Sequence, residues 1–170
     1  FMVDNTMTPP PVFYAKDVKP SLVFCSLTKY IAGHGNVLGG AVIDTGNYDW
    51  TKFSNLKPAY QVADTAQWGI TQIKKKGLRD LGATLAPQSA TAIALGMETL
   101  DLRLSRSQHN AMQLATFLDN HPKVSKVFYP GLADHPQHFM AREYLNDGYG
   151  AILSFDLIDG ADPVAFLNEM

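Results

Sequence analysis

An α/β fold, followed by the opening of a smaller α+β domain, is what this 170-residue sequence predicts. Two observations carry that expectation. Short apolar runs separated by turns fill the first hundred residues, at 1–3, 21–25 and 41–43. They are continuous rather than alternating, which suits strands of a sheet covered on both faces. A helical period then takes over, with Ile93, Met97, Leu100, Leu104, Ala111, Leu114 and Leu118 recurring at threes and fours.

The elements follow in order. The first strand runs into Asp4-Asn5-Thr6, and Thr8-Pro9-Pro10-Pro11 is a rigid connector that cannot continue a sheet interior. The second strand leads to Ser26, and the third is entered through Gly39-Gly40 and left at Asp44-Thr45-Gly46. Residues 47–77 are aromatic-rich and aperiodic, and Tyr48, Trp50, Phe53, Tyr60 and Trp68 read as the packing of an ordered insertion. One long helix is expected from Pro87, suited to a first turn, to the stop signal Asn120-His121-Pro122, with a bend near Ser105–Ser107. Beyond it come a strand over 124–129, a short helix over 135–145, a strand over 151–157 with Leu153, Phe155 and Leu157 on one face, and a helix starting at Asp162-Pro163.

Composition removes several function classes. A net charge of −2 gives no reason to expect nucleic acid or an anionic membrane as partner, and 46% apolar with 18% charged residues is ordinary for a globular chain. One cysteine, Cys25, excludes an internal disulfide and suits a reducing compartment, so a cytoplasmic location is expected. The sequence has no apolar stretch of membrane-spanning length. Both ends cut elements in mid-stride, which reads as a segment of a longer polypeptide.

The chemistry gathers around Lys29, in Phe24-Cys25-Ser26-Leu27-Thr28-Lys29-Tyr30 followed by Gly33-His34-Gly35. The apolar run delivers two hydroxyls and an amine to a glycine-rich turn, while Asp4 closes an earlier strand. A lysine at one strand end and an aspartate at another is what a pyridoxal phosphate site needs. The lysine holds the aldehyde as a Schiff base, and the carboxylate partners the ring nitrogen. In isolation each has a bland reading: a solvated turn lysine, and an aspartate capping a turn. Ser26 and Thr28, two apart, would project to one side of an extended segment, where both can donate to one phosphate; local capping is the plainer alternative.

These residues resemble the Cys/Met-metabolism family of pyridoxal-phosphate enzymes, whose hallmark reads approximately V-D-N-T, then S-x-T-K-Y-x-x-G-H. The matching positions are Val3-Asp4-Asn5-Thr6 and Ser26 to His34, and the likeness continues through Gly39-Gly40, Leu78-Arg79-Asp80-Leu81-Gly82, Glu98-Thr99-Leu100 and Tyr129-Pro130-Gly131-Leu132. The resemblance implies the fold-type I architecture of pyridoxal-phosphate transferases: a large, mostly parallel α/β/α domain and a small α+β C-terminal domain. Residues 1–104 would be the later part of the large domain with the connecting helix, and 105–170 the beginning of the small one. It implies Lys29 as catalytic residue, with Asp4, Ser26, Thr28 and Lys29 holding the cofactor. It further implies a homotetramer of active dimers, with a ring-stacking aromatic expected before Phe1 and a substrate-carboxylate arginine expected beyond Met170. The stretch Gly46-Asn47-Tyr48-Asp49-Trp50 and the insertion up to Arg79-Asp80 resemble the O-acetylhomoserine sulfhydrylase branch, implying γ-replacement of acetate by sulfide or a thiol on a small amino-acid substrate. A cystathionine γ-synthase, a cystathionine or methionine γ-lyase, or an inactive truncated subunit are the alternatives.

Other residues take plainer readings. The S-x-x-K pair of Ser26 and Lys29 invites comparison with serine β-lactamases, but Gly33 and Gly35 argue against the sustained helix that chemistry needs, and no S-D-N or K-T-G follows. His34 is expected to make a turn hydrogen bond, and His109, His121, His135 and His138 are too scattered for a metal site, so none is expected. Cys25 is expected to face core. Arg79-Asp80 reads as a structural ion pair or subunit contact, and the family resemblance leaves a pocket role open.

Overall fold

The computed structural model describes residues 1–146 and 148–169. The chain divides into two compact units: residues 1–9 with 14–100, and residues 10–13 with 101–170.

The first unit is built on three strands, β1 (Met2–Asp4), β2 (Leu22–Ser26) and β3 (Gly40–Asp44), in that spatial order. β1 and β2 run parallel, with Asp4 aligned to Phe24. β3 returns antiparallel to β2, pairing Ser26 with Gly40 and Leu22 with Asp44. The β1/β2 pair is parallel, in keeping with the mostly parallel sheet expected, and β3 is an antiparallel addition to it. The reason is the connection: residues 27–39 hold one helical turn and a glycine loop, too little for the helical crossover a parallel return requires. Instead the Leu27 N–H donates to the Gly39 carbonyl at 2.9 Å, which closes the segment as a hairpin.

The 47–77 stretch is ordered, as its aromatics suggest. Short 3-10 turns at Trp50–Lys52, Pro58–Tyr60 and Thr65–Gln67 lead into α1 (Trp68–Ile73) and a wider helical segment, Lys74–Asp80. Trp50 anchors it. Its ring meets Tyr48 and Phe53 edge-on, its Nε1–H donates to Asp44 Oδ2 at 2.8 Å, and a Cβ on Gly69 would lie 2.2 Å from the indole. Only glycine lets α1 approach that closely.

The expected single long helix is two. α2 (Pro87–Met97) stops at Glu98–Thr99, and α3 begins at Leu100 and runs to Asp119. The break is at 98–99, not near 105–107. Gly96 weakens the last turn of α2, and the Glu98 N–H bonds back three residues to Leu95, tightening it. Ala115 is fully buried while Leu114, expected on the apolar stripe, is exposed.

The second unit packs α3 on a two-stranded antiparallel sheet of β4 (Val124–Phe128) and β5 (Ser154–Leu157). Ala111, Ala115 and Leu118 meet Val127 and Tyr129 in its core. The Tyr129 ring is 1% exposed, and its hydroxyl donates to the Gly150 carbonyl at 2.8 Å. Burial, with Tyr149 adding to it, pushes the Tyr129 phenol up to about 12. Leu153, Phe155 and Leu157 do share one face, alternating with exposed Ser154 and Asp156. α4 (His138–Tyr144) starts later than expected, and α5 (Pro163–Asn168) is capped by Asp162, whose carboxylate accepts the Val164 N–H. Among the described residues, no helix is long and apolar enough to cross a membrane.

Candidate active site

Strand register sets the site. Side chains alternate across a sheet, so aligned Asp4 and Phe24 share a face, and Ser26 and Gly40 lie on that same face further along. Val3, Val23 and Cys25 point the other way. Asp4 and Ser26, expected from sequence to serve one cofactor, therefore project to one side of the sheet. Beside Ser26 the face is open: a Cβ built on Gly40 would meet only the Cys25 carbonyl, at 3.7 Å.

Asp4 is held ionised. Its Oδ1 accepts the Thr6 N–H at 2.9 Å, an Asx turn at the strand end. Hydrogen bonds from the Thr6 side chain and backbone hold the carboxyl below the usual range. Cys25 is half-buried; loss of water, together with the Asp4 charge, pushes its thiol up, so it remains protonated at neutral pH.

Lys29 lies exposed in the helical turn Leu27–Ile31, which is broken at Lys29 itself by a non-helical ψ of −120°. The turn ends where the Ala32 N–H bonds Leu27 and Gly33 takes a positive φ of 73°, a conformation that suits glycine. His34 Nδ1 reaches the Ala32 carbonyl at 2.6 Å, the turn contact expected of it. α2 backs this turn. Ile93 joins Ala32 and Val37 in a buried cluster, and Gly96 packs directly on Ala32, where a Cβ would fall 2.1 Å from the Ala32 oxygen.

Thr28 corrects one expectation. Strand β2 ends at Ser26, so Ser26 and Thr28 are not two apart on an extended segment. The Thr28 hydroxyl faces the hairpin closure, accepting the Gly39 N–H at 3.0 Å and donating to the Gly39 carbonyl at 3.3 Å. The donated bond is long and weak, which leaves the proton available to a stronger acceptor.

Sequence reasoning missed Thr6 and Gly39. Thr6 Oγ1 accepts the Ser26 N–H at 2.8 Å, joining the ends of the two strands. The spacing Asp4-x-Thr6, common in side-chain turns, was the available signal; for Gly39 none exists short of the pairing. Arg79 and Asp80 form the ion pair expected, at 2.7 Å, with Lys76 Nζ at 2.9 Å. Those bonds lower Asp80 to about 2. Among the described residues no three potential ligands cluster for a metal.

The donor set fits pyridoxal phosphate: an ionised carboxylate suits a protonated ring nitrogen, the Ser26 hydroxyl beside an open glycine suits a phosphate, and an accessible primary amine suits an aldehyde. The fold is that of pyridoxal-phosphate enzymes of fold type I, seen in part. The chain belongs to the family described as Cys/Met metabolism PLP-dependent enzyme, which matches it over residues 1–170. It is 37% identical to a homocysteine synthase of Schizosaccharomyces pombe, covering 95% of this chain and 41% of that protein. It is 42% identical to a canavanine γ-lyase of Pseudomonas canavaninivorans, covering 90% and 33%. A Campylobacter jejuni protein assigned as an O-acetylhomoserine (thiol)-lyase, whose structure carries a pyridoxyl-lysine phosphate, superposes with a TM-score of 0.78 at 31% identity, over 92% of this chain and 42% of that one. The chain thus spans less than half the length of each of these relatives.

Proposed function

We propose that this chain is the lysine-bearing part of an enzyme that replaces the acetoxy group of O-acetyl-L-homoserine with sulfide, giving homocysteine and acetate. The observation that carries the reading is the register that sets Asp4 and Ser26 on one sheet face, with Lys29 on the turn that follows. Similarity to a homocysteine synthase supports the choice of reaction.

In this reading pyridoxal phosphate supplies an electron sink for the substrate's α-carbon. Asp4, kept ionised by Thr6, holds the ring nitrogen protonated. Ser26 Oγ and Thr28 Oγ1 donate to the phosphate, the latter by turning from its long bond to Gly39. Lys29 Nζ would hold the cofactor covalently, and as a free amine the same nitrogen would take the α proton and relay a β proton. The helix behind the turn, through Gly96 and Ile93, fixes where that amine swings. A homo-oligomer in the cytoplasm completes the proposal, and sedimentation of the intact protein tests its assembly.

The 42% identity to a canavanine γ-lyase favours a second reading, γ-elimination at the same residues. Steady-state assay of the intact protein separates the two. Sulfide-dependent homocysteine from O-acetyl-L-homoserine is the expected result. A 2-oxo acid and ammonia, formed without sulfide, would establish elimination instead.

A further inference from the structure

We infer that Thr6 is a positioning residue that locks the ring-nitrogen carboxylate and the phosphate-binding strand into one fixed spacing; the inference rests on the cofactor site proposed above. Two hydrogen bonds converge on this one residue. The Thr6 N–H donates to Asp4 Oδ1 at 2.9 Å, and Thr6 Oγ1 accepts the Ser26 N–H at 2.8 Å. The strand ladder makes the second bond meaningful. The Asn5 N–H donates to the Phe24 carbonyl at 2.9 Å, so the next donor along β2, Ser26, would look for a backbone carbonyl on β1. β1 ends at Asp4, and the Thr6 hydroxyl takes the place of that carbonyl.

That substitution has a consequence a backbone carbonyl would not have. A hydroxyl that accepts from Ser26 still carries its own proton. The same Thr6 side chain is the largest influence holding the Asp4 carboxyl below its ordinary range. Ser26 and Asp4, twenty-two positions apart in sequence, are thereby tied through a single residue, by its hydroxyl on one side and its backbone N–H on the other. The two atoms that would grip opposite ends of a flat cofactor cannot drift apart independently. The hydrogen bonds of Thr6 go to Asp4 and from Ser26, so its effect is on binding and orientation, through those two residues.

The test uses the intact protein and two substitutions. Thr6→Val keeps the shape and β-branching and removes the hydroxyl; Thr6→Ser keeps the hydroxyl. Three measurements are made: amide hydrogen exchange at Ser26 in the cofactor-free protein, the pyridoxal phosphate dissociation constant by spectroscopic titration, and the position of cofactor attachment by borohydride reduction and peptide mapping. We expect Thr6→Val to speed exchange at Ser26 and to weaken cofactor binding about tenfold, the size of one lost hydrogen bond in a charged site. Thr6→Ser should remain within about threefold of the native value for both. Unchanged exchange and affinity in Thr6→Val, with the label on Lys29, would overturn the Thr6 role and leave the site intact. A label on another residue would overturn the site reading and this inference with it. Should Thr6→Val not fold, Thr6→Ser decides: native-like exchange and affinity support the hydroxyl's role, and a tenfold loss refutes it.

Discussion

Gly96→Ala is the sharpest probe of how the lysine turn is held. A Cβ at position 96 would sit 2.1 Å from the Ala32 oxygen and 2.8 Å from both its carbonyl carbon and Cα. All three are backbone atoms, so no rotamer change relieves them. Ordinary contact begins near 3.4 Å, so α2 and the Leu27–Ile31 turn must separate by more than an ångström. Overpacking of this kind costs about 1–3 kcal/mol. The separation also opens the buried cluster of Ala32, Val37 and Ile93. Because Ala32 closes the turn on which Lys29 lies, the displacement should reach the amine. Thermal unfolding of Gly96→Ala and the native protein, side by side with the visible spectrum of bound cofactor, measures both effects. Gly77→Ala is the control: that position lies in the helical Lys74–Asp80 segment, and its Cβ would meet nothing within 4 Å. There alanine should stabilise by about 0.5–1 kcal/mol. If Gly96→Ala melts with the native protein and binds cofactor normally, the helix does not hold the turn, and the reasoning is refuted.

Further outcomes are expected at three residues. Lys29→Ala should abolish covalent attachment of the cofactor, read as loss of the borohydride-trapped peptide. Asp4→Asn should lower kcat at least tenfold, since about 1.5–3 kcal/mol accompanies a hydrogen bond to a charged group. The Asp4 carboxyl is depressed below the usual range, so its charge persists above that lowered value and is lost only as pH falls through it; the native pH–rate profile should show no Asp4 limb near pH 4. Tyr129→Phe leaves the Gly150 carbonyl without its hydroxyl partner and should cost about 1–3 kcal/mol in denaturant unfolding. With the folded phenol raised to about 12, Tyr129's contribution should be complete below pH 10 and decline as pH rises towards 12.

Sequence pattern located the elements better than their relations. Continuous apolar runs marked β1 to β3 because burial alone selects such residues, yet nothing in the 41–43 run says that it pairs antiparallel. That direction was decided by the brevity of the 27–39 link. The helical period of 87–120 was legible, but its interruption was not. Just before the break, Gly96 presses against Ala32, more than sixty positions away in sequence, and that contact is equally invisible to a local pattern. Asp4, Ser26 and Lys29 stood out because their side chains carry chemistry in a recognisable spacing. Thr28 was misjudged geometrically, since alternation was applied past the end of the strand. Thr6 was passed over because its contribution is a hydroxyl replacing a ladder carbonyl, which only the termination of β1 makes necessary.

Trp50 gives the first unit a built-in optical probe. With its indole N–H bonded to Asp44 at the end of β3 and its ring lying against Gly69, the fluorophore has little freedom to reorient on its own. Its emission anisotropy should therefore follow the tumbling of the strand it is fastened to. Detachment of the aromatic segment would register as a drop in that signal before the sheet itself is lost.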